Sequence, residues 1–242
     1  MSDQEIKNLL IERYSSMSSP AGRWRWTLYC SWKRISWKTV VASSVFVKRM
    51  FDVFASLCIL IMISPILAVI ALLVKLEDGG PVIFAQRRVG KWGRDFKMYK
   101  FRSMRVDAEA RLQELLKENG HSTGVTFKMK NDPRVTRAGR VLRKYSLDEL
   151  PQFVNVLKGE MSMVGPRPPL PREVALYTMK DRQRLAVTPG LTCFWQIGGR
   201  ANIDFPEQVR LDVQYIESRS FWLDLWICIK TVPAVLLGRG AC

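Results

Sequence analysis

Two adjacent acidic residues, Asp148 and Glu149, stand in the stretch RKYSLDELPQF, at the predicted start of a helix. Carboxylates in such a position can cap the helix or take part in nucleophilic chemistry. Ser146 to Glu149 matches the S-x-x-E capping box, with Ser146 as the cap. With Asp148 as the cap instead, Pro151 falls in the first helical turn, where the N–H that proline lacks is not needed. The residues alone leave the capping role and the catalytic role open.

Basic residues lie on both sides of this acidic pair. Upstream, four arginines recur at spacings of three, which would place them near one face if the segment is helical: Arg134, Arg137, Arg140 and Arg143. Downstream, Pro166 and Pro168 bracket Arg167 in a stiff GPRP turn, which pre-orders the guanidinium for gripping a phosphate. Guanidinium groups and a helix N-terminus that converge form a phosphate site, and a carboxylate there can attack phosphorus or hold Mg²⁺. The alternatives are a solvated charged face and a plain rigid turn.

Composition narrows the kind of protein and its partners. The chain has 242 residues and a formal net charge of +16, which suits one sizeable domain with attachments. The charge predicts an anionic partner, either nucleic acid, an anionic membrane leaflet or phosphorylated small molecules. The five cysteines are scattered without metal-ligand spacing, which indicates a reducing, cytosol-facing location. Because His121 is the single histidine, most zinc sites are excluded and a histidine-based triad is disfavoured.

The first 45 residues form a basic extension rich in tryptophan, with RWRWTLYCSWKRISWK at its centre. Indole rings interleaved with Arg and Lys suit a membrane interface. The alternative is a partly disordered basic tail. No short apolar core with a small-residue cleavage site follows the start, so the extension is not a signal peptide.

Residues 46–76 form an apolar segment that we expect to enter the membrane. Val53 to Val74 carries no charge and is long enough to cross a bilayer. Ser64-Pro65 lies in its middle, where proline removes a hydrogen bond and should kink or break the helix. Basic residues flank both ends, which favours a helix that bends there and returns to the same face: Lys48, Arg49, Lys75, Arg87, Arg88 and Lys91. A kinked ordinary span and the buried helix of a soluble core are the alternatives.

Residues 77–220 are typical of a soluble domain of mixed structure. GGPVIFAQRRVG predicts a turn and a short strand, FKMYKFRSM an alternating strand, and VDAEARLQELLKEN an amphipathic helix. Residues 221–242 hold an apolar segment interrupted by charges and proline, in which Trp222 and Trp226 favour an interfacial helix. Together these elements predict an α+β fold: a small, mostly helical cytosolic catalytic domain with short strands, attached by a re-entrant membrane helix and interfacial amphipathic helices.

Three segments follow the apolar helix with its central Ser-Pro: KFRSM, DPRVTRAGRVLRKYSLDELPQFVNVLKGEMSMVGPRP and TPGLTCFWQIGGR. In these segments the chain resembles the bacterial sugar transferases called polyprenyl-phosphate hexose-1-phosphate transferases, or monotopic phosphoglycosyl transferases. The resemblance covers about Val47 to Leu237, and the DELPQ and GPRP segments are highly specific. The chain is similar to the minimal catalytic form, because only the Trp-rich extension precedes the membrane helix. It departs from the family pattern at Cys193, where glycine is common.

The resemblance implies an enzyme that moves a sugar 1-phosphate from a UDP-sugar to polyprenyl (undecaprenyl) phosphate and releases UMP. This reaction would be the first membrane step of bacterial exopolysaccharide, O-antigen or glycoconjugate assembly. Asp148 and Glu149 match the catalytic dyad of the family and would hold Mg²⁺, with a phospho-aspartate intermediate. For Glu149 the sequence leaves metal coordination and proton acceptance open. The other implied site residues are phosphate ligands and a loop on the nucleotide side: Lys100, Arg102, Arg143 and Arg167 for the phosphates, and Pro166 and Pro168 for the loop.

The implied location is the cytoplasmic face of the bacterial inner membrane, in a monotopic arrangement in which Ser64 and Pro65 break the membrane helix. The implied partners are UDP-sugar, polyprenyl phosphate and inner-membrane lipids, with no nucleic acid, and the sequence leaves a homo-oligomer open. Two other functions compete. One is a nucleic-acid-binding protein, suggested by the charge and the aromatic–basic interleaving, although the apolar segment would then be idle. The other is a non-enzymatic membrane scaffold for glycan assembly.

Overall fold

The computed structural model describes residues 4, 5, 7, 8, 11, 19–108, 132–198 and 203–236. The chain divides into two compact units, Met1–Arg49 and Met50–Cys242. Most of the helix predicted for VDAEARLQELLKEN lies outside the described residues, as does His121. The four-part division of the chain at residues 45, 76 and 220 stays a prediction from composition.

A long helix, α1, spans Pro20–Asp78. It takes in the described part of the Trp-rich extension, where the indole rings of Trp24, Trp32 and Trp37 are exposed. Over residues 20–45 the structure therefore favours a helix over a disordered tail. By length and composition, α1 is the one helix in the described ranges that could cross a membrane.

Helix α1 continues through Ser64-Pro65, where the sequence predicted a kink or break. Proline cannot donate the hydrogen bond that the carbonyl of Ile61, four residues earlier, would normally receive. The Ser64 hydroxyl donates to that carbonyl instead, at 2.9 Å, as serine side chains in helices can. The predicted break is therefore absent from the described backbone, whereas the kink at Pro65 and the re-entrant path stay predictions.

An antiparallel hairpin follows α1. Strands β1 (Ile83–Val89) and β2 (Asp95–Phe101) pair along their full length, which confirms both predicted strands. A 3₁₀ turn at Lys91–Gly93 joins them, and Trp92 and Gly93 in this turn have left-handed backbone, with φ of 59° and 76°. The register places Lys100 next to the last residue of β2, at the end of the hairpin away from this turn.

The acidic pair lies in the segment between two short helices. Helix α2 (Arg137–Lys144) begins after Thr136, whose hydroxyl accepts a hydrogen bond from the backbone N–H of Gly139 at 2.9 Å. A 3₁₀ turn at Leu147–Glu149 and helix α3 (Gln152–Lys158) follow. Gly159 ends α3 with φ of 83°, the left-handed conformation that favours glycine at this position.

A parallel pair of strands carries the GPRP turn. Strand β3 (Ser162–Val164) lies beside β4 (Gly190–Thr192), and Gly165 follows β3 directly. A Cβ atom on Gly190 would lie 2.0 Å from the Gly165 nitrogen, so this close approach of two backbones requires glycine. The other elements of the described residues are a 3₁₀ helix (Asp181–Ala186), α4 (Pro171–Val174), α5 (Phe194–Gly198), α6 (Phe205–Ser218) and α7 (Phe221–Leu236).

The hydrophobic core joins α1 to the strands and to the C-terminal helices. Its buried members are Met98, Phe153, Val156, Met161, Met163, Val164, Tyr215 and Ile227. Helix α1 contributes Phe51, Ile59 and Leu60 to this core, and Ile70 and Val74 to a smaller cluster with side chains of β2 and α2. Other apolar side chains of α1 are exposed, which is typical of a surface that contacts a membrane or a partner: Phe54, Ile61, Met62, Ile66, Val69 and Leu73.

Helix α7 confirms the predicted C-terminal helix. Its side chain Ile227 is buried in the core, whereas Trp222, Ile229 and Val232 are 75%, 61% and 58% exposed. One side of the helix therefore packs against the protein and the other exposes apolar side chains. Such a helix suits a membrane interface. The helices and two short strand pairs of the described residues confirm the predicted α+β class.

Candidate active site

The acidic pair does not cap a helix. Asp148 and Glu149 lie in the 3₁₀ turn that precedes α3, and Ser146 before them has a left-handed backbone with φ of 55° and makes no side-chain capping bond. Pro151 is the residue from which α3 begins, again without a side-chain cap. Both capping interpretations are therefore wrong, because the chain makes an extra tight turn between Ser146 and Pro151. The carboxylates are left for other contacts.

Both acids line a cavity of about 1350 Å³. Of the described residues that line this cavity, nine are basic and four are acidic. The basic residues are Arg88, Lys100, Arg102, Arg105, Arg134, Arg143, Arg167, Arg172 and Arg184, and the acidic ones are Asp132, Asp148, Glu149 and Glu173. A concave site with this excess of positive charge attracts anionic ligands.

Glu149 is held by two cations. The Nζ atom of Lys100 lies 2.8 Å from its Oε1, and Nη1 of Arg167 lies 3.6 Å from the same oxygen. Burial alone would raise the pKa of Glu149, but the charges of Lys100 and Arg167 outweigh this effect and lower the pKa. Glu149 is therefore ionised at neutral pH.

Asp148 is shifted in the opposite direction. It is only 8% exposed, and this burial raises the pKa of its carboxyl against the opposing charge of Lys100, with the negative charge of Glu149 adding to the rise. Arg143 and Arg167 oppose the rise as well. Neighbouring acids with pKa values driven apart are typical of catalytic sites.

The upstream arginines do not share one face. Arg134 precedes α2, is buried, and contacts Asp132 through its Nε and Nη2 atoms at 2.8 and 2.6 Å. Arg137 and Arg140 are exposed. Arg143 lines the cavity, and its Nε donates to the Ser103 hydroxyl at 2.9 Å. The helical-face prediction fails because α2 begins only at Arg137, so the cavity receives Arg134 and Arg143 from different elements.

All four residues predicted to bind phosphates line the same cavity, but their present partners differ. Lys100 pairs with Glu149, and Arg102 pairs with Asp78 at the end of α1. The Nη1 atom of Arg102 is buried without a hydrogen-bond partner among the described residues. The side chain of Arg167 is 36% exposed, which makes it more open than Lys100 at 15% or Arg102 at 7%.

The GPRP turn is fixed at both of its proline residues. The carbonyl of Pro166 accepts from the Gly190 N–H at 2.9 Å, and the carbonyl of Pro168 accepts from Nη1 of Arg88 at 2.9 Å. The sequence did not single out Arg88 as a site residue, since it was grouped with the basic flank of the apolar segment. Its burial and the nearby charge of Arg167 lower its pKa to about 10.

Asn155 is a second residue that sequence reasoning missed. It is fully buried in α3, accepts from the Tyr99 N–H at 3.0 Å and donates to the Lys97 carbonyl at 2.7 Å. These bonds hold β2, and so Lys100, against the helix that follows the acidic pair. Its partners lie 56 and 58 residues earlier in the chain, so no local sequence pattern marks Asn155.

Arg184, which lines the cavity, belongs to a buried ion pair. Nη2 of Arg184 lies 2.6 Å from Oδ2 of Asp212, and Nη1 of Arg184 donates to the Tyr177 hydroxyl at 3.1 Å. Cys193 follows β4 directly, and burial raises the pKa of its thiol well above the usual range. A buried neutral thiol is chemically inert, so Cys193 acts here as a packed side chain.

The comparison with protein families decides what kind of protein holds this site. A family model described as bacterial sugar transferase matches residues 43–238. The chain belongs to the bacterial sugar transferase family. This confirms the resemblance drawn from the DELPQ and GPRP segments.

Individual relatives of this bacterial sugar transferase cover most of its length. It is 50% identical over 200 residues to galactosyl transferase CpsE of Streptococcus agalactiae, covering 82% of this chain and 44% of that one. It is 45% identical over 197 residues to exopolysaccharide production protein ExoY of Rhizobium meliloti, covering 80% and 87%. It is 44% identical over 202 residues to undecaprenyl-phosphate galactose phosphotransferase of Salmonella typhimurium, covering 82% and 42%. The chain thus spans less than half of two of these relatives and most of ExoY.

Two of the three arginines of α2 give a matched test of the predicted phosphate site. Arg143 lines the cavity, whereas Arg140, three residues earlier on the same helix, is exposed. Replacing Arg143 with lysine keeps the charge but removes the two-pronged grip of the guanidinium on a phosphate. We expect Arg143→Lys to weaken UDP binding about tenfold, as measured by titration calorimetry of the purified protein. Arg140→Lys should bind UDP like the unmodified protein, and equal affinities for all three would place Arg143 outside the phosphate site.

Proposed function

We propose that this bacterial sugar transferase moves a sugar 1-phosphate from a UDP-sugar to polyprenyl phosphate and releases UMP. The observation that carries the proposal is the buried carboxylate of Asp148 in a cavity with nine basic residues among its described lining. The name of the Salmonella typhimurium relative, undecaprenyl-phosphate galactose phosphotransferase, supports the reaction class. The name of ExoY supports a place in exopolysaccharide production.

Asp148 acts as the nucleophile in this proposal. One carboxylate oxygen attacks the β-phosphorus of the UDP-sugar, and the bond from that phosphorus to the bridging oxygen breaks. UMP leaves with the bridging oxygen, and the sugar 1-phosphate stays on Asp148 as an acyl phosphate. An oxygen of polyprenyl phosphate then attacks the same phosphorus, which frees the Asp148 carboxylate and yields a polyprenyl diphosphate sugar.

The electrostatics of the cavity suit this attack. A carboxylate that approaches a diphosphate is repelled by it, and the surrounding basic residues offset that repulsion. The raised pKa of Asp148 gives a more basic and therefore more nucleophilic carboxylate once it is ionised. Arg143 and Arg167 grip the phosphates, and Pro166 and Pro168 keep Arg167 on the nucleotide side. Lys100 and Arg102 complete the set of phosphate ligands.

Mg²⁺ is the proposed cofactor, and Asp148 and Glu149 would hold it. Mg²⁺ in proteins is bound by one or two carboxylates together with waters and substrate phosphates, so this adjacent pair fits the ion. No group of three or more His, Cys, Asp or Glu side chains suited to a metal occurs among the described residues. The substrate diphosphate would therefore complete the coordination, and the bound ion would neutralise part of its charge.

The proposed location is the cytoplasmic face of the inner membrane, with α1 entering and leaving on that face. The basic residues at both ends of the apolar segment favour this path. The exposed apolar side chains of α1 and α7 would then contact lipid, and the phosphate of the lipid substrate would meet the cavity at the membrane surface. The kinked ordinary span remains the alternative path.

The nucleophile can be tested by replacing Asp148 with asparagine. We expect Asp148→Asn to lower UMP release at least ~10³-fold, since an essential group is removed. With donor labelled in the sugar and no lipid acceptor, the unmodified protein should become labelled and Asp148→Asn should not. Asp95→Asn, a change at an exposed aspartate at the opposite end of β2 from Lys100, should retain activity. Strictly sequential kinetics, or near-normal turnover by Asp148→Asn, would falsify the covalent route.

Metal dependence follows from the charge of the site. We expect EDTA to abolish UMP release and added Mg²⁺ to restore it, because the ion would neutralise part of the negative charge that two carboxylates and a diphosphate bring together. The assay is run on the purified protein with fixed donor and acceptor concentrations. Activity that is unchanged in EDTA would remove Mg²⁺ from the proposal while leaving the role of Asp148 intact.

The membrane path can be tested by cysteine labelling in sealed vesicles. Native cysteines are removed, and single cysteines are introduced near residues 46 and 78. We expect both sites to be labelled from the cytoplasmic side only. Pro65→Leu, which restores the N–H toward Ile61, should straighten the helix and move residues 1–45 outward. Labelling of the first site from outside in the unmodified protein would contradict the re-entrant path.

A further inference from the structure

Strand β3 donates a hydrogen bond to the carboxylate of a distant helix. Asp52 of α1 is 3% exposed, and its Oδ1 accepts from the backbone N–H of Met163 at 3.0 Å. One turn later, the fully buried Ser56 hydroxyl lies 3.5 Å from the sulfur of the same Met163. Two side chains of α1 therefore contact the middle residue of this three-residue strand.

The carboxylate of Asp52 accepts the hydrogen bond that a neighbouring strand would otherwise accept from Met163. Among the described residues, the sheet that contains β3 has two strands, and β4 is the strand that pairs with it. A buried N–H without an acceptor is destabilising by about 1–3 kcal/mol, and buried backbone groups are nearly always paired. Asp52 satisfies the Met163 N–H, and the same hydrogen bond fixes the position of β3 against α1.

A second contact fixes the end of β3. The hydroxyl of Tyr215 in α6 lies 3.1 Å from the Val164 carbonyl and 2.7 Å from Oδ1 of Asp224 in α7. Burial and the charge of Asp224 raise the pKa of Tyr215, so its hydroxyl keeps its proton and remains a donor. Strand β3 is thus tied to α1 and α6 by polar contacts in addition to core packing, and Tyr215 links it further to Asp224 of α7.

Strand β3 leads directly into the GPRP turn, which places Arg167 in the cavity. Gly165 follows Val164 and donates to the Thr192 carbonyl at 3.0 Å, and Pro166 and Pro168 stiffen the chain around Arg167. Because only three residues separate Met163 from Arg167 and one of them is proline, a shift of β3 displaces the guanidinium. The Nη1 atom of Arg167 lies 3.6 Å from Oε1 of Glu149, so the displacement would also change the contact between Arg167 and the acidic pair.

We propose that Asp52 is a positioning residue for the site, because its carboxylate holds β3 and thereby places Arg167 in the cavity. Asp52 does not touch substrate in this proposal and acts through Arg167. The inference rests on the proposed function in so far as Arg167 grips a phosphate of the nucleotide. UDP binding, measured without an acceptor and without turnover, is therefore the readout.

A double-mutant cycle tests the proposal on the full-length protein. We expect Asp52→Ala to weaken UDP binding about tenfold by calorimetry, since it removes an acceptor to a buried backbone donor. In an Arg167→Ala background the same change should alter affinity less than about twofold, because the residue through which it acts is gone. Asp52→Asn keeps an oxygen that can accept from Met163 and should stay within about threefold of the unmodified protein.

Glu77 provides a matched control on the same helix. Its Oε1 accepts from the Arg137 N–H at 2.7 Å, so it is also a carboxylate of α1 bound to a backbone donor, but of α2. Glu77→Ala should lower the thermal unfolding temperature, and its effect on UDP binding should persist unchanged in the Arg167→Ala background. Where Asp52→Ala does not fold, Asp52→Ser takes its place in the cycle.

The outcomes separate this inference from the proposed function. If the effects of Asp52→Ala and Arg167→Ala on UDP affinity multiply, or if Asp52→Asn is as impaired as Asp52→Ala, Asp52 is not a positioning residue for Arg167. If the unmodified protein binds UDP but releases no UMP with any sugar donor, the proposed function fails while the cycle still reports on Asp52.

Discussion

The ion pair between Lys100 and Glu149 determines how closely strand β2 approaches the 3₁₀ turn that carries the acidic pair. Its atoms Nζ and Oε1 lie 2.8 Å apart, and both side chains are mostly buried. An uncompensated charge in such a place is strongly destabilising, so β2 and the 3₁₀ turn have to approach until the charges meet. Asn155 sets the same approach through the backbone, since it accepts from the Tyr99 N–H and donates to the Lys97 carbonyl, close to Lys100 in β2.

The same ion pair separates the roles of the two acids. Lys100 forms its ion pair with Glu149, so Glu149 has a lowered pKa and stays ionised, while burial raises the pKa of Asp148. Two equivalent carboxylates side by side would repel each other and share a proton. Here the asymmetry leaves one acid as a fixed negative charge suited to holding cations. The other becomes the more basic carboxylate, which suits attack on phosphorus.

Sequence reasoning predicted the elements whose pattern is local and missed those set by tertiary contacts. Strand β1 was predicted from a turn followed by a short apolar stretch, β2 from alternation, and helix α7 from an apolar segment with two tryptophans, and all three are confirmed. The capping interpretations of Ser146 and Asp148 failed because Ser146 has a left-handed backbone, which is uncommon for residues other than glycine and was not predicted from the local pattern. Arg88 and Asn155 could not be assigned from sequence, because their partners lie 80 and 56 residues away in the chain.

Helix α1 is the candidate membrane element of the protein, and it also holds residues of the cavity in place. Three carboxylates on its C-terminal half each bind a segment that carries, or leads to, a basic residue of the cavity. Asp52 binds β3, which leads to Arg167; Glu77 binds the start of α2, which carries Arg143 near its other end; and Asp78 binds Arg102 itself. A displacement of α1 from its seat would therefore disturb three of the cavity's cations together. Under the proposed function, the helix that would rest in lipid and the cavity that would receive a phosphorylated lipid share these contacts, so seating in the membrane and formation of the phosphate site would be coupled.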